Sequence, residues 1–275
     1  MSQRALDRAT NELKSVSDTP RLDAELLLAA AFGIGRDRLL LDPPQGKAPP
    51  AFEEMVKRRV NGEPIAYITG QRAFWTIDLE VGPGVLIPRP DSETLIEAAV
   101  EHFGTERAPA RVLDLGTGPG TLLLAALDQW PDATGIGVDV SETALDYARR
   151  NAKRIGIDGR AQWRTGDWAD GVEGRFDLIL CNPPYVADDD SELDEDVRKF
   201  EPAEALFAGA DGLDQYRRLI PQLPPLLADG GLCAIEIGHR QGRDVAKLLQ
   251  AEGQITELRH DLGGRPRAVL FRGNV

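Results

Sequence analysis

Asn182-Pro183-Pro184-Tyr185 closes the apolar run Phe176-Asp177-Leu178-Ile179-Leu180-Cys181, which reads as a buried strand. Prolines end strands, so a strand stopped by Pro183 and Pro184 is one account of the tetrapeptide. Its polar members also suit a chemistry, the capture of a planar –NH2 group. The nitrogen of an amide, or of an amino group on a base, has a delocalised lone pair and is a poor nucleophile. Two acceptors, the Asn182 side-chain oxygen and the Pro183 carbonyl, can take its two hydrogens. So held, the nitrogen can rehybridise and aim its lone pair at a methyl group. The prolines stiffen the backbone that carries these acceptors and bring no competing N–H. Tyr185 can stack on a planar target. No strong general base is required, because the proton becomes acidic as positive charge develops on nitrogen.

A second candidate lies upstream in "VLDLGTGPG" (112–120), where Gly116, Thr117, Gly118, Pro119 and Gly120 follow a strand and precede a helix. Glycines there permit tight turning and let a ligand approach bare backbone. Asp139 ends the next strand, 19 residues after Gly120, where a carboxylate can accept from both hydroxyls of a ribose. The glycines alone would fit a simple turn; with Asp139 they point to a nucleoside-containing cofactor. Asp114 favours S-adenosylmethionine over a dinucleotide. Its charge would repel a pyrophosphate and attract a cationic amino group and sulfonium, directly or through water. The competing role for Asp114 is to cap loop amides. Asp167 and Trp168 follow a third strand and face the same crevice. Asp167 could bond an adenine amino group and Trp168 could offer its backbone or ring to adenine; a helix cap and an ordinary surface aromatic are the alternatives.

Elements must place these loops at one edge. Strands are expected at 110–115, 134–139, 161–166, 175–181 and 231–237, and helices near 91–103, 119–129, 141–155, 213–228 and 240–252. This alternation predicts an α/β fold with a doubly wound, mostly parallel sheet. "ITELRHDLGGRPRAVLFRGNV" adds two strands joined around Gly263-Gly264, which pair antiparallel. The result is a seven-stranded Rossmann-like methyltransferase sheet with an antiparallel C-terminal hairpin. Residues 1–73 read as a small helical domain. Ala5, Leu6, Ala9, Leu13 and Val16 share one helix face, Leu22, Leu26, Leu27 and Ala30 another, and a further helix ends near Gly62. Residues 74–88 read as a hairpin linker around Gly82-Pro83-Gly84, and 89–275 as the methyltransferase domain.

Composition bounds the partners. The 275 residues carry a net charge of −13, which opposes broad nucleic-acid binding through Lys and Arg. Cys181 and Cys233 sit in apolar runs without a CxxC and read as reduced core thiols. Neither a signal peptide nor a membrane span is visible, so a cytoplasmic location without membrane contact is expected. No metal site is expected.

"NPPY" downstream of "DLGTGPG" resembles the amino-group methyltransferases that use S-adenosylmethionine: adenine-N6 DNA enzymes, certain RNA methylases and protein glutamine methyltransferases. "GEPIAYITGQRAFW" (62–75), "LIPRPDSE" (86–93), "RKFEPAEALFAG" (198–209) and "DLGGRPRAVL" (261–270) narrow the likeness. They resemble the peptide chain release factor glutamine methyltransferases, the HemK/PrmC family, across nearly the whole chain. The resemblance implies methyl transfer to the glutamine amide nitrogen of the Gly-Gly-Gln motif of bacterial release factors, a protein partner rather than a nucleic acid. It implies that Asn182, Pro183, Pro184 and Tyr185 hold that glutamine. Gly116 to Gly120, Asp139, Trp168 and Asn182 would contact the cofactor, Arg89 and Pro90 would line the site near the incoming peptide, and Glu93 would help order it. For Arg89 a surface cation beside a helix start is the other reading. Two departures stand out. Pro119 replaces a small hydroxyl residue and removes one N–H, although proline suits a first helical turn. Lys199 interrupts the Arg-Phe-Glu-Pro pattern and leaves the role of Arg198 open. The other readings are a DNA or RNA adenine or guanine N-methyltransferase, which should carry an added basic domain, and a non-catalytic cofactor-binding scaffold.

Overall fold

Apolar helix faces at the start of the chain and apolar strands after it sort into two packing units in this computed structural model, which describes residues 2–274. One unit runs up to Gln71 and regains Asp194–Phe200; the other holds Arg72–Leu193 and the chain from Glu201 onward.

The first unit contains α1 (Ser2–Glu12), α2 (Pro20–Phe32), α3 (Arg36–Leu41), α4 (Pro50–Val60) and α5 (Ile65–Thr69). Leu6, Ala9 and Leu13 bury the expected face of the first helix. Proline at the first position opens α2 and left-handed Gly33 closes it. The buried face of α2 is rotated from the expected one. Leu22 is exposed, whereas Asp23, Ala24, Leu27 and Leu28 are inside. Ion pairs explain the rotation: Arg59 Nε donates to Asp23 at 2.9 Å, and Glu25 accepts from Arg21 at 2.7 Å and Arg36 at 2.8 Å. In the same unit Arg59 pairs with Asp196 at 3.5 Å and Lys199 donates to the Asn61 carbonyl at 3.2 Å.

Strands β1 (Gln71–Phe74) and β2 (Ile77–Glu80) form a two-stranded sheet. Its turn is Trp75-Thr76, not the expected Gly82-Pro83-Gly84, which lies beyond the second strand. Trp75 takes φ 54°, its N–H donates to Glu93 at 2.8 Å, and its indole N–H donates to Gln129 at 3.1 Å. Specific partners thus hold a bulky residue where glycine would be the usual choice.

The rest follows as α6 (Glu93–Phe103), β3 (Arg111–Leu115), α7 (Thr121–Gln129), β4 (Thr134–Asp139), α8 (Glu142–Arg154), β5 (Ala161–Thr165), β6 (Phe176–Cys181), α9 (Glu195–Phe200), α10 (Asp214–Leu219), β7 (Leu227–Glu236), α11 (Gly242–Ala251), β8 (Thr256–His260) and β9 (Pro266–Arg272). The large sheet has the order β5-β4-β3-β6-β7-β9-β8. It is parallel through β7, and β9 runs antiparallel to both β7 and β8. The fold is therefore the expected seven-stranded methyltransferase sheet. Leu113, Leu115, Ile179, Cys181, Cys233 and Ile235 fill its centre, with both cysteines free and fully buried. Such two-sided burial is why these strands read as near-continuous apolar runs. The helix expected over 213–228 stops at Leu219. Pro221, Pro224 and Pro225 turn the chain into two 3-10 turns, and β7 begins at Leu227 with a register shift against β6. Neighbouring β3 and β6 bring their carboxyl ends together, where ligands bind in open α/β sheets. Among the described residues no helix is long and apolar enough to cross a membrane.

Candidate active site

The loops after β3 and β6 meet at one cavity of about 690 Å³. A Cβ on Gly116 would lie 3.3 Å from the Trp168 ring, a tight contact, and 3.8 Å from the Asn182 carbonyl oxygen, so glycine keeps this approach relaxed. Gly116, Gly118 and Gly120 have φ of 72°, 56° and 86°. The Gly116 and Thr117 N–H groups donate to the Val138 carbonyl at 2.9 and 3.0 Å. Pro119 stands two residues before α7 and so lies outside the first helical turn. Its carbonyl accepts from Asn151 Nδ2 at 2.9 Å, while Asn151 also brackets Glu80, accepting from its N–H and donating to its carbonyl. One buried amide on α8 thereby anchors the glycine loop.

Asp114 is buried at the end of β3 and borders the cavity. Its Oδ2 accepts from the Thr117 hydroxyl at 2.6 Å and from the Leu123 N–H at 3.1 Å, while Oδ1 has no hydrogen-bond partner among the described residues. Burial pushes the carboxyl up to about 7, against those two donors and with help from the charge of Asp139. Asp139 meets the cavity at the end of β4. It accepts from Gly118 N–H at 2.8 Å and Ser141 N–H at 2.9 Å, and burial raises its pKa despite these amides. Trp168, at φ 53°, is nearly buried and its indole N–H donates to Gln215 at 3.2 Å. Asp167 pairs with Arg218 on the same rim.

Across the cavity stands the tetrapeptide. Asn182 Nδ2 donates to Ser92 Oγ at 3.3 Å, and both residues line the wall. Pro184 lines it too, whereas Pro183 is buried behind it; the Pro183 carbonyl accepts no hydrogen bond among the described residues. Tyr185 turns away from the wall. Its ring packs on the sheet core and its hydroxyl donates to the buried Glu236 at 3.2 Å, which differs from the stacking role expected for it. Arg89 lines the cavity and pairs at 2.5 Å with Glu201, whose other oxygen accepts from the Ile87 N–H at 2.9 Å. The "IPRP" segment is thus strapped by one buried carboxylate.

Two family models match parts of the chain: residues 4–70 match the PrmC N-terminal domain and residues 91–208 the Methyltransferase small domain. The release factor glutamine methyltransferase of Rhodospirillum rubrum is 44% identical over 275 residues, spanning 98% of this chain and 84% of its own. This chain belongs to the release factor glutamine methyltransferase family. Its relative from Pseudomonas aeruginosa is 43% identical over 260 residues, spanning 92% of this chain and 93% of its own. Among solved structures, the Thermus thermophilus 16S rRNA N2 G1207 methyltransferase, in complex with AdoMet and guanosine, superposes with a TM-score of 0.54. It is 19% identical and covers 74% of this chain and 50% of its own, a likeness of fold alone.

In this family member the cavity gathers Arg89, Gly116, Thr117, Gly118, Pro119, Asp139, Trp168, Asn182 and Pro184 of the expected site. It leaves out Gly120, Pro90, Pro183 and Tyr185. Gly120 instead lets the loop pass Leu124 and Trp163, and exposed Pro90 opens a 3-10 turn. Glu93 acts at a distance from the wall by holding Trp75. Ser92, Asn151 and Glu236 escaped the sequence reading. Asn151 had a signal, a polar residue on the face of α8 that buries Ala144, Leu145, Ala148 and Ala152. Glu236 had one too, as a charge at the carboxyl end of an apolar strand. No group of three or more His, Cys, Asp or Glu side chains among the described residues could hold a metal ion.

Proposed function

We propose that this chain transfers a methyl group from S-adenosylmethionine to the side-chain amide nitrogen of the glutamine in the Gly-Gly-Gln motif of peptide chain release factors. One observation carries the reading. The Asn182 amide stands on the wall of the same cavity as Asp114, Gly118, Asp139 and Trp168, with its nitrogen tied to Ser92.

The residues present fit the cofactor. Asp114 Oδ1 is a buried acceptor without a partner among the described residues, suited to a cationic amino group. Asp139 offers remaining lone pairs to a ribose diol, and a Cβ on Gly118 would meet open space, so the loop leaves room for a ligand. S-adenosylmethionine, when bound, supplies an electrophilic methyl group. The chain supplies geometry. Asn182 Oδ1 and the Pro183 carbonyl accept the two hydrogens of the glutamine amide, which orients the nitrogen lone pair and disfavours its conjugation. The same acceptors stabilise the hydrogens as charge develops on nitrogen. Arg89, held by Glu201, presents a fixed cation to the incoming peptide.

The acidic chain suits a basic protein partner. Incubation with S-adenosylmethionine and purified release factor, followed by mass mapping, should add about 14 Da to the Gly-Gly-Gln peptide. Methylation of a nucleic acid, with the release factor left unchanged, would reverse the reading.

A further inference from the structure

We infer that Ser92 and Glu236 are positioning residues that fix which end of the Asn182 amide faces the target nitrogen. The inference rests on the proposed glutamine methylation.

A primary amide is nearly symmetric in shape. Turning it by half a revolution exchanges oxygen for NH2 without changing its packing. The exchange matters here, because a target –NH2 needs an acceptor and would meet a donor if Nδ2 faced it. Nothing in Asn-Pro-Pro-Tyr itself decides between the two orientations. The decision requires a neighbour that accepts from Nδ2 and does not donate to Oδ1.

Ser92 Oγ, 3.3 Å from Nδ2, is that neighbour. A hydroxyl both donates and accepts, so it discriminates only when its own hydrogen is committed elsewhere. Glu236 commits it. This carboxyl is buried at the end of β7. Oε1 accepts from the Tyr185 hydroxyl at 3.2 Å. Oε2 is buried and has no hydrogen-bond partner among the described residues, and the Ser92 hydroxyl is the neighbour that does most to favour the charged form, so discrimination requires that hydroxyl to turn onto the unpartnered oxygen. With Glu236 ionised, Ser92 gives its hydrogen to the carboxylate and turns its lone pairs to Asn182. Oδ1 is then left for the target. The same carboxylate holds Tyr185, so both ends of the tetrapeptide answer to one group at the end of the next strand.

Burial pushes Glu236 up to about 7, against Ser92, the cation of Arg267 on β9 and the Tyr185 hydroxyl; the charge of Asp91 pushes it further. Tyr216 on α10 and Cys181 on β6 face the same charge, and both stay neutral because burial raises them well above their usual values. Protonation makes Glu236 a donor, frees Ser92 from its commitment and lets the Asn182 amide turn. Turnover should therefore rise with pH through the titration of Glu236.

The test compares wild type, Asn182→Ala, Ser92→Ala, Ser92→Thr and Glu236→Gln on release factor, with kcat and the KM for S-adenosylmethionine measured across about pH 6 to 8.5. Ser92→Ala should lose roughly tenfold to hundredfold in kcat with KM unchanged, and Ser92→Thr should restore most of it. Glu236→Gln, which can present a donor to Ser92, should lower kcat and flatten the rise with pH. Ser92→Ala needs no new packing, so it decides the matter even if Glu236→Gln fails to fold. Wild-type kcat in Ser92→Ala, or a loss that Ser92→Thr does not restore, overturns the inference while an active wild type and an inactive Asn182→Ala leave the functional reading standing. A wild type that leaves the release factor unmethylated overturns both.

Discussion

Asp114 and Asp139 end neighbouring strands, yet the fold treats them differently. Asp139 has a backbone N–H on each oxygen, whereas Asp114 keeps Oδ1 bare inside the protein. Burying an acceptor without a partner is unfavourable by about 1–3 kcal/mol, and a bound cation offsets that penalty. Asp114→Asn should then weaken S-adenosylmethionine binding by about tenfold, since a charge-assisted bond to the amino group becomes a neutral one. Isothermal titration measures it; unchanged affinity would remove Asp114 from the cofactor site. Asn182→Ala should act on the other side of the cavity. Loss of an acceptor placed where charge develops lowers kcat by roughly a hundredfold to a thousandfold. Cofactor affinity, read in the same titration, should change far less, because Asp114, Asp139 and the glycine loop remain.

At the scale of elements, the glycine loop is held from three sides: the Val138 carbonyl, Asp139 and Asn151. Gly120 is its tightest point. At φ 86° a Cβ there would come 2.8 Å from Leu124 and 3.0 Å from Trp163. Gly120→Ala should cost about 1–3 kcal/mol through the left-handed backbone alone. Its expected signature is a lower Tm together with weaker cofactor binding, and an unaltered Tm would mean that the loop relaxes freely. These elements also show what sequence can and cannot reveal. The central strands were legible because β3, β6 and β7 are buried on both faces and leave apolar runs. The crevice was legible because two loops with local signatures follow adjacent strands. The hairpin turn was not, since Trp75 takes a left-handed conformation only through Glu93 and Gln129, which lie far along the chain. The face of α2 was misjudged for a related reason, because Arg59 and Arg36, off the helix, join Arg21 on it in making buried carboxylates acceptable. Ser92 lies 90 residues from Asn182, and no local pattern links a serine to the amide it orients.

For the whole molecule, the cofactor-free protein should lose stability as pH rises from about 5 to 8. Asp114 and Glu236 are both raised to about 7 by burial, and Asp139 is raised as well. Unfolded carboxyls titrate near 4, so between roughly pH 4 and 7 the folded state holds protons that the unfolded state has released. The stability tied to these groups is therefore complete below the unfolded value and lost as pH climbs through the folded one. Groups held low act in the opposite direction: the contribution of Glu25 and Asp261 is already present above about pH 5, whereas the lowered His102 gains stability as pH rises toward its ordinary 6.5 and offsets part of the loss. One unit of upward shift corresponds to about 1.4 kcal/mol, and about 1 kcal/mol moves Tm by roughly 2–4 °C in chains of this size. A fall of at least about 3 °C is expected between pH 5 and 8, followed by thermal denaturation. The net charge of −13 adds self-repulsion, which salt screens, whereas the titration of buried carboxyls persists in about 0.5 M salt. Asp114→Asn should raise Tm at pH 8 and leave it nearly unchanged at pH 5. Saturating S-adenosylmethionine should shrink the same difference in wild type, because its cation meets the carboxylate oxygen that has no partner among the described residues. A Tm that is flat across this range in both proteins, or an Asn variant that tracks wild type at every pH, would show that Asp114 is ionised at little cost and that the fold reserves no acceptor for a cation there.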